Sequence, residues 1–221
     1  MSEETRNVPK PMVLINGKPM LWHIMEIYAR QGFTNFIVAG GYRVDMIQEW
    51  AKSTELPWSL KVLDTGLKTQ TAGRIRMCLD VIGNNRFFLT YGDGLANVSL
   101  RRLLDVHERQ GRLITVTAVR PPARFGVLQI ENGIVTRFGE KQQVDSGWIN
   151  GGFFVVEPGI RHHLSSDDSD LGADVLTALA LEGQLAAYMH SGFWTPMDTL
   201  REKNLIEVWA KEVSPPWKQS L

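Results

Sequence analysis

Short apolar runs alternate with helical stripes through the first half of this chain, and no other feature restricts the fold as much. Leu21, Ile24, Met25 and Tyr28 repeat at i, i+3, i+4 and i+7, with Pro19 suited to a first helical turn. Phe36-Ile37-Val38-Ala39 reads as a buried strand stopped by Gly40-Gly41. Ile75, Cys78, Leu79 and Ile82 form a second stripe, and a strand from Arg86 to Thr90 follows. Leu100, Leu103, Leu104 and His107 mark a third helix, ahead of a strand from Leu113 to Ala118. Strands separated by helices imply right-handed crossovers and helices on both faces of a sheet. The expected fold is α/β: a Rossmann-like, mixed, mainly parallel sheet.

The pattern changes after Pro121-Pro122. Val127 to Ile130 and Ile134 to Phe138 flank Glu131-Asn132-Gly133, a hairpin signal. Trp148 to Val156 is a long strand interrupted by Gly151-Gly152, where a bulge or a close ligand is expected. Leu171, Val175 and Leu179 mark another helix, Leu185 to Met189 another strand, and Leu205, Val208 and Trp209 a last helix. No repeat or long linker divides the chain. Residues 1–221 therefore read as one domain, with a hairpin region at 120–150 and a C-terminal helix and tail at 199–221.

The 24 basic and 24 acidic residues cancel, which argues against a general nucleic-acid or membrane surface. An anionic ligand must then be held by a local cluster or a metal. The lone cysteine, Cys78, excludes an internal disulfide framework, and its place on a helical stripe makes it a core residue. No apolar run approaches the roughly 20 residues of a membrane span and no signal peptide opens the chain, so the expected location is cytoplasmic.

Two aspartates carry the chemistry. Phe87 to Tyr91 ends abruptly in Gly92-Asp93-Gly94, and Gly192-Phe193-Trp194-Thr195-Pro196-Met197 leads to Asp198-Thr199. Carboxylates at the carboxyl ends of buried strands sit where open α/β sheets bind ligands. Two of them can share one hard cation, and that cation can organise a triphosphate. Gly92 and Gly94 leave room for a ligand beside Asp93. A turn aspartate at 93 and a helix N-cap at 198 are the structural alternatives. Lys10, between Pro9 and Pro11, could meet phosphates as a point charge or be a plain loop lysine. Thr71 looks like an N-cap for the second stripe. His23, His107, His162 and His163 form no site of their own.

Several strings taken together resemble the glucose-1-phosphate cytidylyltransferases, a branch of the sugar-nucleotide pyrophosphorylases. They are Val8-Pro9-Lys10-Pro11-Met12-Val13, Gly17 through Met25, Asp64-Thr65-Gly66, Tyr91-Gly92-Asp93-Gly94, Arg124-Phe125-Gly126, Ile149 through Phe154, and Phe193-Trp194 through Thr199. The resemblance implies an Mg²⁺-dependent transfer of a cytidylyl group from CTP to glucose 1-phosphate. The products are CDP-glucose, for deoxysugar and surface-polysaccharide synthesis, and pyrophosphate.

The resemblance also implies residue roles. Lys10, Thr69, Arg74, Gly92 and Asp93 would meet the nucleotide, with Lys10 and Asp93 catalytic. Glu140, Lys141, Asn150, Gly151 and Trp194 would meet the sugar, and Asp93 and Asp198 the metal. Gln142 stands where the family has a proline after the Glu-Lys pair. A homo-oligomer is implied, with Trp209 to Trp217 offering an apolar surface for it. Rival readings are the same chemistry with UTP or dTTP, a non-catalytic nucleotide-sugar sensor, or a glycosyltransferase, whose usual Asp-x-Asp motif Asp93-Gly94-Leu95 does not supply.

Two departures stand out. Family members open with a buried strand and a glycine-rich triphosphate loop, whereas this sequence opens with Met1-Ser2-Glu3-Glu4-Thr5. A missing central strand would leave backbone groups unpaired inside the fold. The expectation is that the intact protein carries residues absent from this sequence; otherwise the enzyme should be badly impaired or take a substitute strand from a neighbouring subunit. The family also has a longer excursion where residues 42–58 run here.

Overall fold

A computed structural model describes residues 7–121, 127–131, 133–139 and 147–219. The first described elements are a 3₁₀ turn, Lys10–Met12, and a small hairpin of β1 (Leu14–Ile15) and β2 (Lys18–Pro19). Asn16 and Gly17 turn that hairpin with φ of 47° and 77°, the left-handed pair a two-residue type I′ turn requires. Then come α1 (Met20–Ala29), β3 (Asn35–Gly40), α2 (Val44–Ser53), β4 (Ser59–Asp64), α3 (Thr71–Ile82), β5 (Phe87–Leu89), β6 (Gly94–Ala96), α4 (Leu100–Gln110) and β7 (Ile114–Val119). The second half holds β8 (Val127–Glu131), β9 (Ile134–Gly139), β10 (Ile149–Val156), a π-helical turn Leu171–Leu176 running into α5 (Thr177–Leu181), β11 (Leu185–His190), β12 (Trp194–Pro196) and α6 (Leu200–Trp209). Among the described residues no helix is long and apolar enough to cross a membrane.

The largest sheet has the order β11-β7-β10-β5. β10 is antiparallel to both neighbours and β11 is parallel to β7, so β5, β7 and β11 run one way and β10 opposes them. This is the expected mixed sheet. The Gly151-Gly152 interruption is a bulge: Asn150 faces Ala118 and Phe154 faces Val116, so β10 spends four steps where β7 spends two. Gly152 and Phe153 absorb the excess at φ of 75° and 49°. Positive φ is uncommon for a bulky residue. Here the fully buried Phe153 ring, stacked 5.8 Å from Tyr28, holds the backbone in place. β8 and β9 form the expected hairpin.

β3 and β4 pair in parallel with each other alone among the described residues. A cleft of about 660 Å³ separates β3 from β5. Consecutive residues of both strands line it, Phe36-Ile37-Val38 on one side and Phe87-Phe88-Leu89 on the other. Side chains alternate along a strand, so consecutive lining residues mean that the cleft follows the strand edges. The stripes of α1 and α3 cover its two faces.

The core lies on both faces of the large sheet. α1, α4, α6 and Phe153 pack on one face, and α3, Phe154 and the Leu171–Leu176 turn on the other. His107 is part of it, with ring nitrogens 2.9 Å from Thr115 Oγ1 and 3.0 Å from Glu157 Oε1. The tail corrects one expectation. Trp217 is 3% exposed and packs against Phe193 and His23 of its own chain, so it offers no surface for assembly. It joins the core because Pro215 and Pro216 fold the chain back after α6.

Candidate active site

Asp93 and Asp198 lie 105 positions apart and are brought together by backbone. β6 and β12 pair antiparallel, with Pro196 opposite Gly94. Just beyond that pair the Met197 N–H donates to the Asp93 carbonyl at 2.8 Å, and the fully buried Met197 side chain anchors the turn. α6 starts immediately afterwards. Its cap is Thr199, whose hydroxyl accepts the Glu202 N–H at 3.1 Å. The Glu202 carboxylate reaches back to the N–H groups of Thr199 and Asp198 at 2.9 and 2.8 Å, completing a capping box. Thr199 thus takes the capping role, and the Asp198 carboxylate is left for another partner.

That partner is Lys10. Its Nζ donates to Asp93 Oδ2 at 2.8 Å and to Asp198 Oδ1 at 2.6 Å. Burial pulls the Lys10 ammonium down, but hydrogen bonds and charge from Asp198 and Asp93 outweigh it and raise its pKa above the usual lysine value. Gly92 makes the approach possible. A Cβ there would come within 2.8 Å of the Pro11 ring, so only glycine lets the Pro9-Lys10-Pro11 turn lie against the Asp93 loop.

A second group surrounds Tyr91. Asn150 Nδ2 donates to the Tyr91 hydroxyl at 3.2 Å, and Asn150 Oδ1 accepts the Gly152 N–H at 2.9 Å. The Trp194 indole donates to the Gly151 carbonyl at 2.8 Å. Gly151 fits because a Cβ would meet Val119 at 2.6 Å. Asn150, Gly151 and Trp194 therefore share one neighbourhood, close to Gly94 through the Trp194 ring.

A third group sits between α3 and β3. Arg74 Nη1 donates to Thr65 Oγ1 at 2.5 Å, and Thr65 donates its hydroxyl and N–H to the Gly40 carbonyl, each at 2.8 Å. The Arg74 guanidinium crosses Gly41, where a side chain would collide with it. Thr69 lies between Gly66 and Gly73, in contact range of both. Thr71 is the first residue of α3, and its predicted capping role is not realised: the cap position is Gln70. The Thr71 hydroxyl instead donates to Asp170 at 2.9 Å and accepts the Leu171 N–H at 2.7 Å, pinning α3 to the π turn. Pro11, Arg74, Tyr91 and Gly92 all border the cleft between β3 and β5, which links the first and third groups. Glu140 and Lys141 lie outside the described residues.

Thr65 and Tyr91 were not singled out by sequence reasoning. Each stands inside a quoted string, but only the third dimension shows Thr65 fixing Arg74 and Tyr91 meeting Asn150.

The donor set suits a hard divalent cation. Two carboxylate oxygens already converge on one positive centre, the Lys10 ammonium, which stands in for such an ion. Among the described residues no group of three or more His, Cys, Asp or Glu could hold a metal. An ion on Asp93 and Asp198 would therefore draw further ligands from phosphate oxygens and water, the pattern Mg²⁺ favours. Cys78 is buried and its thiol is pushed up to about 11, which makes it a poor nucleophile.

Residues 4–212 match the Nucleotidyl transferase family. The chain belongs to that family. A glucose-1-phosphate cytidylyltransferase from Salmonella typhi is 38% identical to this nucleotidyl transferase over 241 aligned residues, covering 99% of this chain and 94% of the relative. Mannose-1-phosphate guanyltransferase beta-A from Xenopus laevis is 29% identical, covering 96% of this chain and 63% of its own length. Among solved structures, HddC from Yersinia pseudotuberculosis superposes with a TM-score of 0.74 at 21% identity, over 91% of this chain and 90% of the other. At that identity the likeness shows the fold alone.

Proposed function

We propose that this chain transfers the cytidylyl group of CTP to α-D-glucose 1-phosphate, releasing pyrophosphate and forming CDP-glucose. One observation carries the reading: Asp93 and Asp198 reach one and the same cationic centre. The higher identity to the cytidylyltransferase than to the guanyltransferase supports cytosine as the base. When bound, Mg²⁺ on Asp93 and Asp198 would neutralise phosphate charge and orient the triphosphate.

The chain's own residues do the rest. Lys10 binds phosphate as a point charge, and Gly92 lets it approach. Arg74, held by Thr65, and Thr69 meet the nucleotide. Asn150, Gly151 and Trp194 position the sugar, joined by Glu140 and Lys141. No covalent intermediate is required, so catalysis consists of alignment and charge neutralisation. The reaction belongs in the cytoplasm, in a homo-oligomer, and its product feeds deoxysugar synthesis for surface polysaccharide.

Pyrophosphate release tests this. Glucose 1-phosphate and Mg²⁺ are mixed with CTP, UTP, dTTP or GTP in turn. CTP should give the highest kcat/KM. Faster turnover with UTP or dTTP would move the base assignment, and no release with any nucleotide would leave a non-catalytic binding protein.

A further inference from the structure

We propose that Lys10 is a built-in competitor for the divalent ion. Its ammonium lies between the two carboxylates, so the free protein holds metal weakly, and a nucleotide must draw Lys10 away before Asp93 and Asp198 can share an ion. This rests on the reading of Asp93 and Asp198 as the metal-holding pair.

Three observations support it. The Lys10 Nζ is within hydrogen-bond distance of both Asp93 Oδ2 and Asp198 Oδ1, so an ion bridging those oxygens and the ammonium would exclude each other. The backbone beneath Lys10 is fixed: Met12 N–H donates to the Pro9 carbonyl at 2.8 Å, and Pro11 rests on Gly92. The lysine stem is flexible by contrast, so the ammonium can leave without moving the turn. The Lys10, Asp93 and Asp198 side chains are 28%, 34% and 52% exposed, which leaves the cluster open to solvent and ligand.

Charge explains the order of events. Two carboxylates and one ammonium sum to a single negative charge, which attracts a divalent ion less than the bare pair would. A nucleotide's phosphates offer the ammonium a new partner and restore the full pair. Metal and nucleotide then favour each other's binding by the same factor, since coupling between sites is reciprocal. Lys10 thereby discourages metal from binding the empty site and ties its entry to that of the triphosphate.

The test is Mn²⁺ binding by electron paramagnetic resonance, without nucleotide, on the full chain. Lys10→Met should bind Mn²⁺ about tenfold more tightly than the unaltered protein, within the roughly 5–150-fold range of such couplings. Lys10→Gln should behave the same way, and Lys10→Arg should remain weak. If Lys10→Met were to misfold, Lys10→Gln carries the comparison, with thermal melting as the check on both. Equal or weaker Mn²⁺ binding in a folded, uncharged variant overturns the competition. Adding Asp93→Asn to Lys10→Met separates the two ideas. Loss of the gained affinity supports both, whereas an unchanged gain shows that Asp93 is no ligand and overturns the reading beneath.

Discussion

The two halves that face each other across the cleft are held together by different means. In the laddered half, β5, β10, β7 and β11 form one four-stranded sheet whose β10–β7 ladder is broken at the Gly151–Phe153 bulge, and Phe154, Ile114, Thr115 and Thr117 are fully buried. β3 and β4 carry one ladder between them, and a cleft of about 660 Å³ lies along the seam with β5. Both carboxylates are placed by a separate two-stranded ladder, β6 with β12: Asp93 lies between β5 and β6 and Asp198 just past β12. Arg74 stands on α3, which packs on the large sheet, and its guanidinium reaches to Thr65, just past β4. Catalysis by alignment loses rate steeply when reacting groups drift. The groups that would bear on the reacting phosphate are thus fixed by backbone pairing, and Arg74, proposed to read the nucleotide, is held by a side-chain hydrogen bond at the border of the cleft.

Denaturant unfolding should register the contrast most strongly. Phe154→Ala removes a ring from the packed half and should cost about 3–5 kcal/mol. Phe36→Ala, on β3 at the edge of the cleft and only partly buried, should cost less, about 2 kcal/mol, since part of its ring lacks contacts to lose. Equal losses would break the comparison. Gly92→Ala comes next: the new methyl must push Pro11 aside, at about 1–3 kcal/mol, and should lower turnover more than melting temperature. A fall in stability with unchanged turnover would show that the Lys10 turn need not lie where it does. Thr199→Ala should remove about 1 kcal/mol through the lost cap, read by the same unfolding curves.

The smallest effect is a pH dependence. Burial pulls the His23 and His190 imidazoles below their ordinary value of 6.5. Each binds a proton more weakly folded than unfolded, so below pH 6.5 the unfolded chain takes up more protons and stability falls. Melting temperatures from pH 7.5 to about 5 should decline, and His190→Gln should flatten the decline if the laddered half sets it.

Much of this was legible in the sequence. The stripes of α1, α3 and α4 and the apolar runs of β3, β5 and β7 are periodic enough to read directly. The Gly151-Gly152 bulge follows from two glycines inside a strand. β4 was missed although Ser59-Leu60-Lys61-Val62 alternates as a half-buried strand should, because the alternation lasts only four residues. The three-residue ladder of β6 and β12 joins segments about a hundred positions apart and leaves no local trace, although it is what brings Asp93 to Asp198. The cap was assigned one residue early, to Asp198, although Thr199 and Glu202 form the Thr-x-x-Glu pattern of a capping box, which frees Asp198. The position of Lys10 between the carboxylates had no sequence signal beyond its two prolines.

The central claim is that Asp93 and Asp198 act as one unit on one divalent ion. A double-mutant cycle in kcat/KM for pyrophosphate release measures this directly, using Asp93→Asn, Asp198→Asn and both together. Each single change should cost roughly 100-fold or more, and the double variant should be little worse than the weaker single one, because the shared ion is lost only once. Losses that multiply, or an Asp198→Asn enzyme at full speed, would contradict the account.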